Sequence, residues 1–412
     1  MKAISRTVWI LSLVSLFNDM ASEMLYPIMP IYLQSIGFSI LLIGILEGII
    51  EAISGLSRGY FGRWSDYSGH RVPFVQIGYM LSSVSKPLLA VSAHPLWVLF
   101  ARAMDRTGKG IRTSPRDALL SDESTPQTKA KVFGFHRSID TVGALLGPPL
   151  ALLFLFLNPG NYQTLFLLTL IPGMLAISAT YFIRENTSAL SSETLNHSHT
   201  PRWSFFLFMS YWKQSSPAYR NLVMGLLAFT LVNSSNVFLL LRAKETGIDD
   251  TTVIGLYMFY NLVYAAFAYP MGAIADKIGL KYIYMLGLGI FALVYMGLGL
   301  TNDLYAIFGL FLLYGIFGAA TEGVSIAWIS LLTPKKDMAT AIGTFGAFQS
   351  IGLMLASTLT GLLWQAFGSA IALGVSAGVS VLVMAYIATL PNHTATPPSI
   401  TPPKTLSQTS IS

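Results

Sequence analysis

Residues Gly62 to Arg71 have the sequence Gly-Arg-Trp-Ser-Asp-Tyr-Ser-Gly-His-Arg, a short polar stretch between two long apolar runs. Residues Gly272 to Lys281 have the sequence Gly-Ala-Ile-Ala-Asp-Lys-Ile-Gly-Leu-Lys and repeat this plan about 210 residues later. We call the two stretches the first and second hinge. They align Gly62 with Gly272, Asp66 with Asp276, Gly69 with Gly279 and Arg71 with Lys281. A repeat at half the chain length predicts one six-helix unit used twice.

The composition indicates an integral membrane protein. Of the 412 residues, 53% are hydrophobic and 11% are charged, and the mean hydropathy is +0.60. Globular domains average about 25% charged residues. A membrane-spanning helix needs about 20 apolar residues, and about twelve such runs can be counted here. The sequence contains no cysteine, which excludes disulfides, thiolate metal sites and cysteine nucleophiles.

The apolar runs predict an all-α chain with twelve transmembrane helices in two bundles. We expect these helices near residues 7–33, 40–62, 72–92, 96–113, 132–157, 162–183, 219–241, 252–275, 282–300, 304–332, 340–367 and 371–390. The N-terminal six-helix bundle then comprises residues 1–184 and the C-terminal one residues 218–391. Residues 185–217, rich in Ser, Thr and Asn, predict a cytoplasmic linker. Residues 392–412, rich in Thr, Pro and Ser, predict a disordered cytoplasmic tail.

The distribution of basic residues predicts the orientation in the membrane. Most Lys and Arg residues fall in loops on one side, whereas Arg242 and Lys244 clearly fall on the other. The positive-inside rule therefore places both chain ends and both hinges in the cytoplasm. The formal charge of +6 is scattered over short loops, which favours contact with anionic lipid head groups over nucleic acid.

The fourth predicted helix carries a stripe of charge. Its polar residues are spaced 3, 1, 3, 4 and 3 apart, so that at about 100° per residue they share one face. They are Arg102, Asp105, Arg106, Lys109, Thr113 and Arg116. A central Arg or Lys that faces lipid costs at least about 2.5 to 3.5 kcal/mol. The stripe is therefore predicted to line the interior of the bundle.

Other helices of the same half supply partners for this stripe. Asp19 and Glu23 are four residues apart, and His136 and Asp140 are four apart, so each pair shares a helix face. A buried carboxylate that loses its cationic partner can hold a proton near neutral pH. Asp19, Glu23 and Asp140 are the leading candidates for proton coupling, and structural ion pairing is the alternative for each. The whole predicted charge network is Asp19, Glu23, Glu51, Arg102, Asp105, Arg106, Lys109, His136, Arg137 and Asp140.

The second half carries far less charge inside its helices. Glu322 is its one conspicuous intramembrane carboxylate, and hydrogen-bonding and aromatic residues accompany it. Such groups suit the recognition of a small molecule, whereas packing at helix crossings is the alternative for the aromatic ones. The predicted substrate-binding residues are Asn233, Asn236, Tyr257, Asn261, Glu322, Trp328 and Gln349.

The repeated pattern Gly-x-x-x-Asp-x-x-Gly-x-Arg/Lys resembles the cytoplasmic-loop signature of the major facilitator superfamily, and the resemblance covers about residues 7 to 390. The resemblance implies the major facilitator fold, with the substrate near the membrane midplane between two rocking bundles. It further implies a cytoplasmic gate formed by Gly62, Asp66, Gly69, Arg71, Asp276, Gly279 and Lys281. The alternative is that these are ordinary turn residues with basic lipid anchors.

The fifth predicted helix contains Gly143, Gly147, Pro148 and Pro149. This arrangement is similar to the Gly-x-x-x-Gly-Pro pattern of proton-coupled exporters in the same superfamily, although Leu150 and Ala151 follow where a second trailing glycine is usual. The resemblance implies export. Glycines four apart also allow two helices to pack closely, which is the alternative explanation.

These patterns predict a secondary active transporter, a proton-coupled exporter (antiporter) of a small polar or amphiphilic organic solute. The alternatives are a proton-coupled importer of a nutrient or an iron chelate, and a membrane receptor or scaffold that transports nothing. Gly108-Lys109-Gly110 does not fit a phosphate loop, and no metal-binding or nucleophile motif is present, so we expect no enzyme activity, no metal and no cofactor besides the proton gradient. The expected partners are the solute, protons and the lipid bilayer, and not nucleic acid. We expect a monomeric multi-pass protein of the bacterial inner membrane.

Overall fold

The computed structural model describes residues 4–26, 28–185 and 207–391, and in these ranges the regular elements are helices. The first half contains α1 (Arg6–Glu23), α2 (Met29–Ser35), α3 (Ile40–Ser68), α4 (Val72–Leu88), α5 (Pro95–Asp122), α6 (Lys129–Leu157), α7 (Tyr162–Leu168) and α8 (Leu170–Thr180). The second half contains α9 (Tyr211–Gln214), α10 (Pro217–Thr230), α11 (Val237–Glu245), α12 (Asp250–Ile278), α13 (Leu280–Leu300), α14 (Leu304–Leu331), α15 (Met338–Phe367) and α16 (Ser369–Thr389). The predicted tail and most of the predicted linker lie outside the described residues.

Helix starts in both halves are fixed by side-chain caps. The Ser39 hydroxyl accepts a hydrogen bond from Leu42 N at 3.2 Å and begins α3. The Asp303 carboxylate accepts one from Ala306 N at 2.8 Å and begins α14. Ser216 caps α10, whose first residue is Pro217. These residues satisfy backbone N–H groups that have no partner inside the helix, so the local sequence sets where the apolar runs become helical.

Seven helical stretches in the described part of the chain are long and apolar enough to cross a membrane. They are Lys129–Leu157, Tyr162–Thr180, Thr252–Ile278, Leu280–Leu300, Leu304–Leu331, Lys335–Phe367 and Ser369–Thr389. The other predicted spans contain more charge, are shorter, or are interrupted.

Three predicted spans each contain two helices, although Tyr162–Thr180 still forms one stretch long and apolar enough to cross a membrane. The span near 7–33 forms α1 and α2 with turns between them, and Pro30 lies at the start of α2, where its missing N–H is tolerated. The span near 162–183 forms α7 and α8, and the span near 219–241 forms α10 and α11. The predicted span near 96–113 is longer than expected, because α5 continues to Asp122.

The two halves meet along two helix pairs, α6 with α12 and α3 with α15. Glycines allow the backbones to touch. A Cβ atom on Gly62 would lie 2.4 Å from the Ala339 carbonyl oxygen, and one on Gly272 would lie 2.2 Å from the Ala130 carbonyl oxygen. Both contacts lie at the face of the molecule that carries the hinges, which we call the gate side. On the gate side, therefore, the two bundles are in direct backbone contact.

The interiors of the two bundles differ. In the second, the rings of Phe291 and Tyr295 stack with centroids 3.9 Å apart, and Phe229 meets Phe291 at 4.9 Å. In the first, eight described charged residues are less than one-tenth exposed: Asp66, Arg71, Lys86, Arg112, Arg116, Asp117, Lys129 and Asp140. Because buried charge is costly unless it is paired or used, the first bundle is where a functional site is expected.

Candidate functional site

The first hinge places a carboxylate on the start of a helix in the opposite bundle. Asp66 is buried, and its Oδ2 accepts hydrogen bonds from Thr340 N at 2.7 Å and from Thr340 Oγ1 at 2.9 Å. Thr340 lies in the first turn of α15. A negative charge is favourable there, because the free N–H groups of a helix start carry partial positive charge. Asp66 therefore joins the two bundles on the gate side.

Arg71 connects this hinge to several other elements. Its Nη2 donates to Asp66 at 3.1 Å and to the Lys335 carbonyl oxygen of the second bundle at 2.8 Å, and its Nη1 pairs with Asp122. Its backbone N–H donates to Glu185 Oε1 at 2.8 Å. Asp122 and Glu185 were not predicted as gate residues. Asp122 is the last residue of α5 and Glu185 follows α8, and both resemble ordinary carboxylates at helix ends or in loops in the sequence.

The second hinge repeats the arrangement in the opposite direction. Asp276 accepts hydrogen bonds from Ala130 N at 2.9 Å and Lys131 N at 2.8 Å, which are in the first turn of α6. Each hinge aspartate thus binds the start of a helix in the other half. Gly69 and Gly279 end the helices that carry the aspartates with φ of +69° and +118°, a backbone conformation that favours glycine.

Lys281 is placed differently from its counterpart Arg71, and its assignment to the gate is not supported. Its amine donates to the carbonyl oxygens of Ala388 at 2.7 Å and Leu390 at 2.5 Å. These carbonyls end α16 of the same bundle, where partial negative charge attracts a cation. Lys281 thus fastens the last helix of its own bundle.

The charged stripe of α5 lines a cavity inside the first bundle. The cavity has a volume of about 170 Å³ and lies between α1, α4 and α5. Its charged lining residues are Asp19, Glu23, Lys86, Arg102, Asp105, Arg106, Lys109 and Arg112. Four residues of the predicted stripe line the cavity, Arg102, Asp105, Arg106 and Lys109, as expected from the cost of exposing charge to lipid. Arg112 was not part of the predicted stripe, and Thr113 and Arg116, which were, do not line the cavity.

Lys86 of α4 is a member of this site that sequence patterns missed. Its amine lies 3.2 Å from Asp105 Oδ1 and donates to the Ser82 carbonyl oxygen at 2.8 Å. Ser82 Oγ also donates to Asp105. Lys86 is 3% exposed although it stands alone in an apolar run. A lone lysine in such a run was the available signal.

We expect that neutralising one member of this pair destabilises the protein. Lys86→Met leaves the Asp105 carboxylate buried without its cation, at a cost of about 3 kcal/mol. The double variant Lys86→Met with Asp105→Leu should recover much of this loss, since both charges are gone. Thermal unfolding of the purified variants measures both changes. Equal stability of the single variant and the wild type would contradict the importance of this pair.

A cluster of three carboxyl groups lies where α1 meets α6, and we call it the carboxyl cluster. Its members are Asp19, Glu23 and Asp140. Two of their oxygens, Glu23 Oε2 and Asp140 Oδ1, are buried without a hydrogen-bond donor. Asp19 lies close enough to interact electrostatically with both other carboxyl groups. The nearby cations are Arg106, Lys109, Arg116 and Arg137, of which Arg137 Nη1 is 3.6 Å from Asp140 Oδ2.

The glycines of α6 bring the carboxyl cluster together. A Cβ atom on Gly143 would lie 2.2 Å from the Leu16 carbonyl oxygen, and one on Gly147 would lie 2.7 Å from the Met20 carbonyl oxygen. Both oxygens belong to α1. Pro148 follows, buried inside α6. The Gly-x-x-x-Gly pair therefore serves close packing of α1 on α6, which was the alternative explanation of this motif.

His136 lies beside the cluster on the same face of α6. It is 1% exposed, and its Nδ1 is 3.3 Å from Ser12 Oγ. Arg116 lies nearby and is neutralised by Asp117 at 2.9 Å. The contact with Ser12 joins α6 to α1, Arg116 of α5 interacts electrostatically with the imidazole, and His136 Nε2 is buried without a hydrogen-bond partner.

Two contacts extend the network into the second bundle. Glu322 Oε2 accepts a hydrogen bond from Tyr264 Oη at 2.7 Å, and Glu322 interacts electrostatically with Arg137 of the first bundle. Ser350 Oγ lies 3.4 Å from Glu51 Oε1. Asp140, Arg137 and Glu322 thereby connect the carboxyl cluster to the predicted substrate residues.

Most of the predicted substrate residues lie on or beside α12. Tyr257 interacts electrostatically with Glu23 across the space between the bundles, and Asn261 donates to the Tyr257 carbonyl oxygen at 3.0 Å. Asn236 accepts a hydrogen bond from Tyr314 at 2.7 Å. Asn233 Oδ1 is buried without a partner, and Gln349 is half-buried on α15.

Trp328 is separated from these residues, so the structure does not support it as a substrate contact. It is 2% exposed and meets Tyr284 edge to face at 6.3 Å, within the core of the second bundle. Its size and aromatic ring are used for packing. Within the described ranges, no group of three His, Asp or Glu side chains is arranged to bind a metal ion.

Two helical bundles that close on one face around a charged interior define a membrane transport protein. The family model described as Major Facilitator Superfamily matches residues 11–242 and 221–411. An uncharacterized MFS-type transporter of Methanocaldococcus jannaschii is 34% identical over 370 residues, covering 88% of this chain and 90% of that protein. The chain belongs to the major facilitator superfamily, whose members are transporters and not enzymes.

More distant relatives agree on the fold. The quinolone resistance protein NorA of Staphylococcus aureus is 27% identical over 122 residues, 30% of this chain and 31% of NorA. The human organic anion transporter TETRAN superimposes with a TM-score of 0.76 at 16% identity, covering 94% of this chain and all of that one. The Escherichia coli fucose:proton symporter FucP gives 0.74 at 11% identity over 95% of this chain and all of FucP. The predicted twelve-helix fold in two six-helix bundles is thus confirmed.

Proposed function

We propose that this chain exchanges protons for a small polar or amphiphilic organic solute and so exports the solute. The observation that carries the proposal is the carboxyl cluster, buried between α1 and α6 beside the cations of α5. Two of its oxygens have no hydrogen-bond donor. An unsatisfied buried carboxylate oxygen is costly, and a proton would satisfy it.

Electrostatics supports exchange at this cluster. Three negative charges repel one another strongly in the low dielectric of a bundle interior. A bound proton removes one charge, and so does a cationic group that approaches the same oxygens. A solute with a positive charge or strong hydrogen-bond donors therefore competes with the proton. A transporter that binds the proton or the solute, but not both at once, exchanges one for the other and is an antiporter.

The hinges supply the second requirement, which is alternating access. Asp66 and Asp276 each bind the start of a helix in the opposite bundle, and these contacts exist when the gate side is closed. Breaking them allows the bundles to rock and expose the midplane site on the gate side. The cluster and Glu322 are linked through Arg137, so a change of protonation at Asp140 acts on a contact between the bundles.

Proton-coupled import is the second candidate, and the charge of the cavity favours it. Among the described residues that line it, the cavity has five cations and three carboxylates. A purely anionic solute would pair with the cations and leave the carboxylates free to take up protons. Solute and proton would then bind together, as a symporter requires, and the cargo would be an acidic nutrient or an iron chelate.

Proton flow distinguishes the two candidates. A thermal-shift screen of metabolites and drugs selects a ligand, and liposomes containing the protein and the pH dye pyranine report the flow. With an acidic lumen, we expect external ligand to enter and make the lumen more alkaline, because protons leave in exchange. A lumen that becomes more acidic as ligand enters would identify symport. Ligand entry with no change of pH would reject proton coupling.

The proposal includes a setting for the protein. The working unit is a monomer in a bacterial inner membrane, with both hinges and both chain ends in the cytoplasm. The proton gradient is its energy source, and no cofactor takes part. The excess of basic residues in the loops of the gate side supports this orientation.

A further inference from the structure

The cavity of the first bundle has an excess of positive charge. Its described lining includes five cations, Lys86, Arg102, Arg106, Lys109 and Arg112, and three carboxylates, Asp19, Glu23 and Asp105. Lys86 and Asp105 neutralise each other at 3.2 Å. Four cations then face two carboxylates. Cations inside a membrane protein are costly to maintain. Glu51 of α3, which is not part of this lining, interacts electrostatically with Arg106 and Lys109, so Arg112 is the cation that calls for an explanation.

Arg112 has buried donors that the described residues leave unsatisfied. It is 4% exposed, and its guanidinium group lies 4.5 Å above the ring of Tyr79. Its Nε and Nη1 are buried without a hydrogen-bond acceptor. Buried donors of this kind are rare and call for an explanation. The tyrosine ring holds the guanidinium group through a cation–π contact, and the free donors belong to a residue that lines the cavity.

We propose that this cavity binds the anionic group of the transported solute, a carboxylate or a phosphonate, between Lys109 and Arg112. An oxyanion accepts charge-assisted hydrogen bonds from both side chains, and a guanidinium group matches the geometry of two such oxygens. Lys109 precedes Arg112 by three residues on α5, so both lie on the same face of the helix.

The size of the cavity fits a group rather than a whole molecule. A volume of about 170 Å³ corresponds to about five or six water molecules at about 30 Å³ each. Pockets for drug-sized ligands have about 300 to 1,000 Å³. The cavity thus accommodates a head group, and the remainder of the solute extends toward the space between the bundles, where Tyr257 faces Glu23.

This inference rests on the proposed function, and it narrows the class of cargo. Asp19 and Glu23 also line the cavity and accept a cationic group, whereas Lys109 and Arg112 accept an anionic one. A zwitterionic solute satisfies both sets of residues. Its cationic group competes with the proton, as exchange requires, and its anionic group fixes its orientation.

Phenylphosphonate tests the anion subsite, with benzyl alcohol as a neutral analogue. We expect phenylphosphonate to raise the melting temperature of the protein in nanodiscs at constant ionic strength, and benzyl alcohol to leave it unchanged. For the variants Lys109→Gln and Arg112→Gln, the phenylphosphonate concentration that gives half of the maximal rise in melting temperature should increase at least about tenfold. Each variant loses a charge-assisted hydrogen bond. Lys213→Gln removes an exposed charge and should behave as the wild type.

If half-maximal stabilisation needs the same phenylphosphonate concentration in the wild type and in both cavity variants, the anion subsite is overturned. Equal stabilisation by benzyl alcohol would also overturn it. The comparison of the two compounds uses the wild type, so it decides the question even if a variant fails to fold. If the protein exchanges protons for a ligand but does not bind phenylphosphonate, only the anion subsite is overturned. If the protein binds phenylphosphonate but moves no protons, only the proposal of proton coupling is overturned.

Discussion

Gly272→Leu is expected to hold the gate side open in a protein that still folds. A Cβ atom at this position would lie 2.2 Å from the Ala130 carbonyl oxygen, and backbone cannot yield as a side chain can. Overpacking of this kind costs about 1 to 3 kcal/mol, which reduces the closed population about 5- to 150-fold. Because the clash exists only when the bundles meet, the substitution does not destabilise the open conformation.

A single cysteine can report this opening, because the chain has no cysteine of its own. Ser114 is fully buried at the contact of the two bundles, and Ser114→Cys should react slowly with a maleimide in the parent protein. Adding Gly272→Leu should accelerate the reaction at least about fivefold. The matched control is Gly255→Leu on the same helix, where a Cβ atom meets nothing within 4 Å. Equal labelling in the two leucine variants would contradict closure at Gly272.

Asp140→Asn is expected to reduce proton-driven transport to the level of empty liposomes. Asparagine keeps the size of the side chain but cannot bind or release a proton. Arg137, 3.6 Å from Asp140, also loses an anionic partner that changes charge during the cycle. The measurement is ligand uptake driven by a pH gradient, with the compound that the thermal-shift screen selects.

The control is Asp303→Asn, which makes the same chemical change at an exposed helix cap and should transport as the parent does. Exchange of labelled for unlabelled ligand without a pH gradient should survive in Asp140→Asn, because it requires no net proton movement. Gradient-driven uptake at the wild-type rate in Asp140→Asn would exclude Asp140 as a proton carrier.

Features set by local spacing could be predicted from the sequence. The two hinges repeat a pattern of glycine and aspartate, and the α5 stripe follows the helical period. Because a charged side chain is unfavourable in lipid, the stripe could also be predicted to face the interior of the bundle. The same reasoning placed Asp19 and Glu23 on one face of the first helix, and both line the cavity.

Contacts between helices were harder to predict, because they depend on how distant segments pack. Lys86 pairs with Asp105 across two helices, and no sequence spacing indicates that pairing. Glu185 binds the backbone of Arg71 from 114 residues away. Aligning the two hinges also gave Lys281 the role of Arg71, but the carbonyls at the end of α16 attract its amine instead.

The exact ends of helices also escaped the sequence patterns. A hydropathy window treats residues 7–33 as one apolar run, whereas the chain forms α1 and α2 with turns between them. Trp328 shows a similar limit, since aromatic residues of packed cores and of binding sites have the same sequence signature. Its neighbour Tyr284 identifies it as part of the core.

The carboxyl cluster can be tested without knowing the solute. Proton uptake is titrated in nanodiscs for the wild type and for the triple variant Asp19→Asn, Glu23→Gln and Asp140→Asn. Ordinary carboxyl groups are ionised throughout the range from about pH 9 to about pH 6. We predict that the wild type takes up about one more proton per chain than the variant in this range. Superimposed titration curves would contradict a proton-binding cluster and the transport mechanism built on it.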